Sequence, residues 1–292
     1  MKKLNRPKTS RAVLAGFAIA GLSGGLATSA SAATIYSDDF TGGTNGDSLT
    51  GESPQTRPGS ETYAGTDPSS TNDLSVFQYD ANDRALAIGG ADSPQASNFL
   101  PITLDGTRSY TLTATVYNPL AADSSSWISM GFADKNGVRD LSDGNSTDGS
   151  SNAFTSGFTD GRMSTLWRGN DNVRAFEGTG ASGSLNLTGD DVAAGVSDEL
   201  DLRTTIDFTA GSFGEAIFEY KDPTATGWTN LTTVTLDATK RSALLDNVAY
   251  VGYGANEAGV GVSEFELSSI PEPSVALLGG LGMLVLLRRR RY

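Results

Sequence analysis

The chain has 292 residues, 34 acidic against 21 basic side chains, a formal charge of −13 at pH 7, and neither cysteine nor histidine. Those absences exclude disulfides, Ser-His-Asp and Cys-His nucleophile systems, zinc sites built on His or Cys, and a neutral imidazole base. Carboxylate pairs, Ser-Lys arrangements, Tyr and oxygen-ligated metals remain for any chemistry, and the acidic field argues against nucleic acid as a partner.

Met1 to Ala32 has the anatomy of a secretory signal peptide. Lys2, Lys3, Arg6, Lys8 and Arg11 form a basic start, Ala12 to Leu26 an apolar Ala/Gly-rich run, and Ala30-Ser31-Ala32 a small-residue cleavage site. Cleavage after Ala32 is expected. Setting aside this segment and the C-terminal tail leaves 12 basic and 33 acidic residues, so the body carries −21. At about 237 residues it is long enough for one large core that needs no disulfide.

The body reads as strands. A short segment ends at Asp39-Phe40, and a Gly/Ser/Thr/Pro-rich excursion follows from Gly42 to Asp73. Leu74–Tyr79 and Ala85–Ile88 form a hairpin pattern through Asp80-Ala81-Asn82-Asp83. In Arg108–Asn118 the residues Tyr110, Leu112, Ala114 and Val116 alternate with Thr111, Thr113 and Thr115, the period of two of a half-buried strand. Further strands are expected at Trp127–Phe132, Arg162–Trp167, Asp201–Phe208, Glu215–Tyr220, Trp228–Leu236, Val248–Tyr253 and Val260–Leu267. A helical turn is expected near Asp237–Leu245. Short strands separated by Gly, Asn and Asp turns predict an all-β domain over 33–267, an antiparallel β-sandwich or jelly roll.

The tail, 268–292, joins a Pro271-Glu272-Pro273 triplet to an apolar run Ser274–Leu287 and to Arg288, Arg289, Arg290 and Arg291. The run of about 14 residues falls short of the roughly 20 of a comfortable span, but snorkelling arginines extend it, so it reads as a short C-terminal transmembrane helix. Triplet, run and basic end resemble the PEP-CTERM sorting signal. That resemblance implies an exosortase-type membrane peptidase as partner, cutting near the triplet. It also implies passage through the inner membrane, membrane attachment by the tail until processing, and a destination in the cell envelope, cell surface or extracellular matrix beside exopolysaccharide.

The order of the body's pieces, an opening DDF, a long paired strand, WISMGF, DLRTTIDF, FEYK, VAYVGYG and a closing VSEFELSSIPEP, resembles concanavalin A-like, LamG-type sandwiches. Such folds often bind glycans on a concave sheet or loop rim, and some hold calcium. Three constellations bear on this. Glu199-Leu200-Asp201-Leu202-Arg203-Thr204 resembles the ExDxE or ExDxxE strand of laminarinase-type hydrolases, but Arg203 or Thr204 replaces the third carboxylate, so retaining hydrolysis is not expected. Among Trp127, Trp167 and Trp228, Trp127 lies in an apolar strand and reads as core. Trp167 with Arg168, Asn170 and Asp171 forms the candidate glycan platform, with core packing as its alternative. Asp140, Asp143, Asn145 and Asp148 are oxygen ligands suited to calcium, and Asp190-Asp191 is expected in another turn. Their spacing misses the EF-hand rule, and solvated turns explain the composition equally well. The expectation is an exported, non-catalytic, carbohydrate-binding sandwich. A structural matrix protein without a discrete ligand is the alternative, and a glycoside hydrolase a distant third.

Overall fold

The computed structural model describes residues 32–65, 76–88, 95–119, 126–134, 163–178, 184–191 and 198–271. In chain order they form β1 (Ala33–Asp38), β2 (Ala64–Gly65), β3 (Val76–Tyr79), β4 (Ala85–Ile88), β5 (Gln95–Pro101), β6 (Arg108–Tyr117), β7 (Trp127–Asp134) and β8 (Met163–Arg168). β9 (Asn172–Gly178), β10 (Ser184–Asp191), β11 (Glu199–Asp207), β12 (Glu215–Lys221) and β13 (Thr229–Thr235) follow, then the helix α1 (Ala238–Asn247), β14 (Val248–Asn256) and β15 (Gly261–Pro271). The predicted all-β antiparallel sandwich is what forms. Ala30, the expected calcium loop and the tail from Glu272 onward lie outside the described residues. Among the described residues no helix is long and apolar enough to cross a membrane.

One sheet has eight strands in the order β13-β12-β11-β6-β15-β4-β3, with β1 also on β15. The other has seven, β10-β9-β8-β7-β14-β5-β2. The Thr-flanked alternation of β6 sends Tyr110, Leu112, Ala114 and Val116 inward, where they are buried. β11 contributes Leu200, Leu202 and Ile206, and β12 contributes Ala216 and Phe218. The facing sheet adds Ile128, Met130 and Phe132 from β7 and Val251, Tyr253 and Ala255 from β14. Thr165 and Thr204 meet across the interior at 2.7 Å, so two hydroxyls buried in an apolar core satisfy each other.

α1 closes one end. Asp237 accepts the Lys240 N–H at its N-cap, as a helix start requires. The Lys240 ammonium reaches the buried Glu177 at 2.5 Å, and Arg241 donates to the carbonyls of Gly106, Phe208 and Phe213. β15 runs four residues past the expected Leu267, because Ser268 to Pro271 continue the ladder on Thr111 to Arg108 of β6. Four strands were not foreseen: β2, β5, β9 and β10. Asp190 and Asp191, expected in a turn, instead pair with Val173 and Asn172 at the end of β10. The long excursion after β1 is tied down by Ser37–Thr56 and Ser48–Gln78 bridges.

The DDF opening has a local cause. Phe40 takes φ 57°, costly for an aromatic residue, and its N–H donates to Asp38 Oδ1 at 2.9 Å. Tyr63 donates to Asp38 Oδ2 at 3.1 Å, and Tyr253 packs edge-on against Phe40, Tyr63, Phe77 and Phe265. Burial is the main force raising the Asp38 pKa, opposed by the hydrogen bonds from Phe40 and Tyr63. A carboxyl whose folded pKa is raised binds more protons folded than unfolded, so its contribution to stability falls as pH rises from about 3.9 through the folded value. In thermal melts, wild type is therefore expected to lose ground to an Asp38→Asn variant between pH 4 and pH 7. A gain relative to the variant over that range would contradict the assignment.

Candidate functional site

Period two decides which tryptophan faces out. In β7 the large apolar Ile128, Met130 and Phe132 point to the core, so Trp127, Ser129 and Gly131 point outward. In β8, Met163, Thr165 and Trp167 point inward, leaving Ser164, Leu166 and Arg168 outward. Trp167 is 2 % exposed and belongs to the core. The sequence reading had these two residues reversed: Trp127 is half-buried on the outward face, and Trp167 offers no face to a sugar.

Arg168 keeps its predicted place. The register sets Trp127 opposite both Arg168 of β8 and Asn256 of β14. Gly169 N–H donates to the Ser126 carbonyl and Asp171 N–H to the Arg168 carbonyl, which closes a tight turn with Asp171 at φ 61°. Asn170 is exposed at the turn's tip, and Asp171 is half-buried beside it. β9 then returns along β8, setting Arg174 opposite Leu166 on the same outward face as Arg168. Arg174 Nε donates to Asn172 Oδ1 at 2.5 Å. The strand end thus gathers Trp127, Arg168, Asn172 and Arg174 on one face, each half-buried. Arg174 and Asn172 escaped the sequence reading because β9 was not recognised. Arg168 Nε is closed from solvent and meets no acceptor among the described residues. Desolvation lowers the Arg168 pKa, with a further contribution from the Arg174 charge.

Farther along this face the outward Ser129, Gly131, Ser164, Leu166, Gly252 and Gly254 are buried, while Ser97, Phe176 and Tyr250 are half-buried like the strand-end residues. The outward face of the eight-stranded sheet carries a groove of about 320 Å³ lined by Ser37, Asp39, Gln55, Thr113, Thr115, Glu264 and Glu266 among others. Asp39 accepts hydrogen bonds from Thr41 and Gln55, those from Thr41 being the main cause of its lowered pKa. No group of three acidic side chains positioned to hold a metal occurs among the described residues.

The hydrolase-like strand β11 lies on this other sheet, and its charges are paired, Asp201 and Arg203 across the ladder to β12 and Glu199 with the residue before β4. Glu199 pairs with Arg84 at 2.8 Å, Asp201 with Lys221 at 2.8 Å, and Arg203 with Glu219 at 2.6 Å. Arg203 also stacks over Trp228, 4.1 Å from the ring centroid. Removing one such partly exposed pair, for instance with Arg203→Met, is expected to cost about 1 kcal/mol or less in denaturant unfolding. A loss several times larger would mark this array as essential to the fold.

No protein-family model and no curated protein matches the chain. Among solved structures, an endo-1,3-β-glucanase from Streptomyces sioyaensis aligns with TM-score 0.52 at 13% identity, covering 82% of this chain and 97% of its own. A lectin, UEA-II complexed with galactose, aligns with TM-score 0.51 at 9% identity, covering 83% and 100%. At such identities the likeness concerns the fold alone, a two-sheet antiparallel β-sandwich.

Proposed function

We propose that this chain is an exported, non-catalytic β-sandwich that binds carbohydrate at the β8–β9 end of its seven-stranded sheet. The observation that carries the reading is the convergence of Trp127, Arg168, Asn172 and Arg174 on one accessible face. An indole offers an apolar surface to the C–H face of a pyranose at low conformational cost. The guanidinium and amide groups around it donate and accept hydrogen bonds that fix a hydroxylated ring. The ion pairing of Glu199, Asp201 and Arg203 supports a non-catalytic reading, since among the described residues the neighbouring Glu219 is itself held by Arg203 rather than free for retaining hydrolysis.

A glycan array probed with the purified protein, with and without calcium, tests this reading beside a Trp127→Ala variant. Saturable binding that drops at least tenfold in the variant is expected. Calcium dependence would bring the loop with Asp140, Asp143, Asn145 and Asp148 into the site. Absence of any binding under both conditions would favour the structural matrix reading.

Delivery belongs to the same proposal. The Met1–Ala32 segment directs export, and the tail marks the chain for an exosortase-type peptidase. Intact-mass analysis of protein recovered from the producing cell's envelope is expected to give a mature N-terminus at Ala33 and a chain lacking Arg288 to Arg291. Recovery of both segments intact would remove this part of the proposal. The ladder supports a cut beyond Pro271, because Ser269 is held between Ala33 and Tyr110 and Pro271 still pairs with Arg108.

A further inference from the structure

We infer that two copies of this chain pair through β13, antiparallel about a two-fold axis, so that two eight-stranded sheets become one continuous sheet. The inference goes beyond the carbohydrate reading and does not depend on it.

The argument begins with how the sandwich treats its sheet edges. An edge strand presents unpaired N–H and C=O groups, and proteins cover, shorten, bend or charge such edges to prevent association. Among the described residues the chain does so at every edge but one. Along β3, Gly46 and Leu49 donate to the Tyr79 and Phe77 carbonyls, and the Tyr79 N–H donates to the Asp47 carbonyl. Along β1, Ser37 and Thr56 exchange both backbone hydrogen bonds. β2 has only two residues. β10 shifts register between Asn186 and Thr188 and ends in Asp190-Asp191.

β13 is treated differently. Its seven residues, Thr229–Thr235, contain no charge and no proline, and Thr229, Asn230, Thr233 and Thr235 are exposed. Among the described residues its only strand partner is β12, against which it makes one register shift. Leu231 and Val234 pack on the core. They hold the strand in place and leave its outer edge as a template for another strand.

Charge identifies that strand. Two copies of a chain of −13 repel, and a contact made through an uncharged strand keeps like charges out of the new ladder. A basic peptide would instead be selected by acidic side chains on the edge, which β13 lacks. A strand set antiparallel to its own copy is self-complementary, the closed two-fold arrangement most homo-oligomers adopt. Four of the seven residues are threonine, and Thr–Thr pairs across an antiparallel ladder are favourable. A seven-residue strand pair is a small interface, so the dissociation constant is expected on the order of micromolar.

The test is sedimentation velocity, over a concentration series, of the chain recovered from the envelope. Mild detergent keeps any retained apolar tail dispersed. A monomer–dimer equilibrium is expected. Thr233→Lys sets two ammonium groups close to the axis and is expected to raise the dissociation constant at least about tenfold. Ala81→Lys, an equal change of charge at the exposed β3–β4 turn, is expected to leave it unchanged. Thr235→Lys serves as the second variant should Thr233→Lys lower the thermal midpoint. Because the chain has no cysteine, Thr233→Cys is expected to cross-link with a short bis-maleimide and Ala81→Cys is not. A chain that stays monomeric at the highest concentration overturns the inference. So does a dimer that both lysine variants leave intact, since the contact then lies elsewhere, the tail included.

Discussion

Replacing Trp167 with alanine is expected to lower stability by about 3–5 kcal/mol, because the indole is fully enclosed between the sheets and its removal leaves a cavity. For a domain of this size that corresponds to a fall in Tm of roughly 6–20 °C. The indole N–H meets no partner in the core, so Trp167→Phe gives up no hydrogen bond and should cost clearly less than Trp167→Ala. Thermal melts of the two variants check the order. Should Trp167→Ala melt with wild type yet lose glycan binding, the residue would be a platform after all, and the inward orientation of β8 would be wrong.

The second large effect is expected at Gly252. A Cβ there would stand 2.2 Å from the Asn98 carbonyl oxygen and 2.7 Å from the Phe99 Cα, both backbone atoms of the neighbouring strand β5. No rotamer change relieves such a clash, so β14 and β5 must move apart. Gly252→Ala should reach or exceed the upper end of the roughly 1–3 kcal/mol of ordinary overpacking. Gly131 repeats the situation between β7 and β8, 2.2 Å from the Met163 carbonyl oxygen. Gly227, with nothing within 4 Å of its would-be Cβ, is the control. Urea midpoints should fall sharply for the first two substitutions and stay near wild type for Gly227→Ala. An unchanged midpoint for Gly252→Ala would mean the sheet yields far more easily than its packing implies.

These two predictions concern the same region that sets the candidate site, and they show why it was only partly legible. The strand WISMGF already carries its answer: three large apolar residues at alternate positions define the inward face and turn Trp127 outward. Reading the segment as uniformly apolar hid that alternation. Trp167 misled for the opposite reason, since the polar Arg168-Gly169-Asn170-Asp171 run drew attention to the whole segment rather than to its parity. Arg174 could have been found only by recognising β9, whose NVRAFEG places a charge on each face. Its inward Glu177 is tolerated because Lys240 of α1, more than sixty residues away, supplies the opposite charge.

The sequence by itself determined the all-β class, the exclusion of His- and Cys-based chemistry, a helical turn near Asp237–Leu245 and the alternation of β6, because each follows from composition or from contacts within a few residues. It also carried the features of both end segments, which are matters of hydropathy and charge order. Only the tertiary structure decided that Asp201 and Arg203 meet partners on the neighbouring β12 and Glu199 meets Arg84 from before β4, that Trp167 is enclosed, and that Arg168 lies beside Arg174. Those facts depend on strand register, and register is set by pairing between segments distant in the chain, where a shift of one residue reverses every side chain.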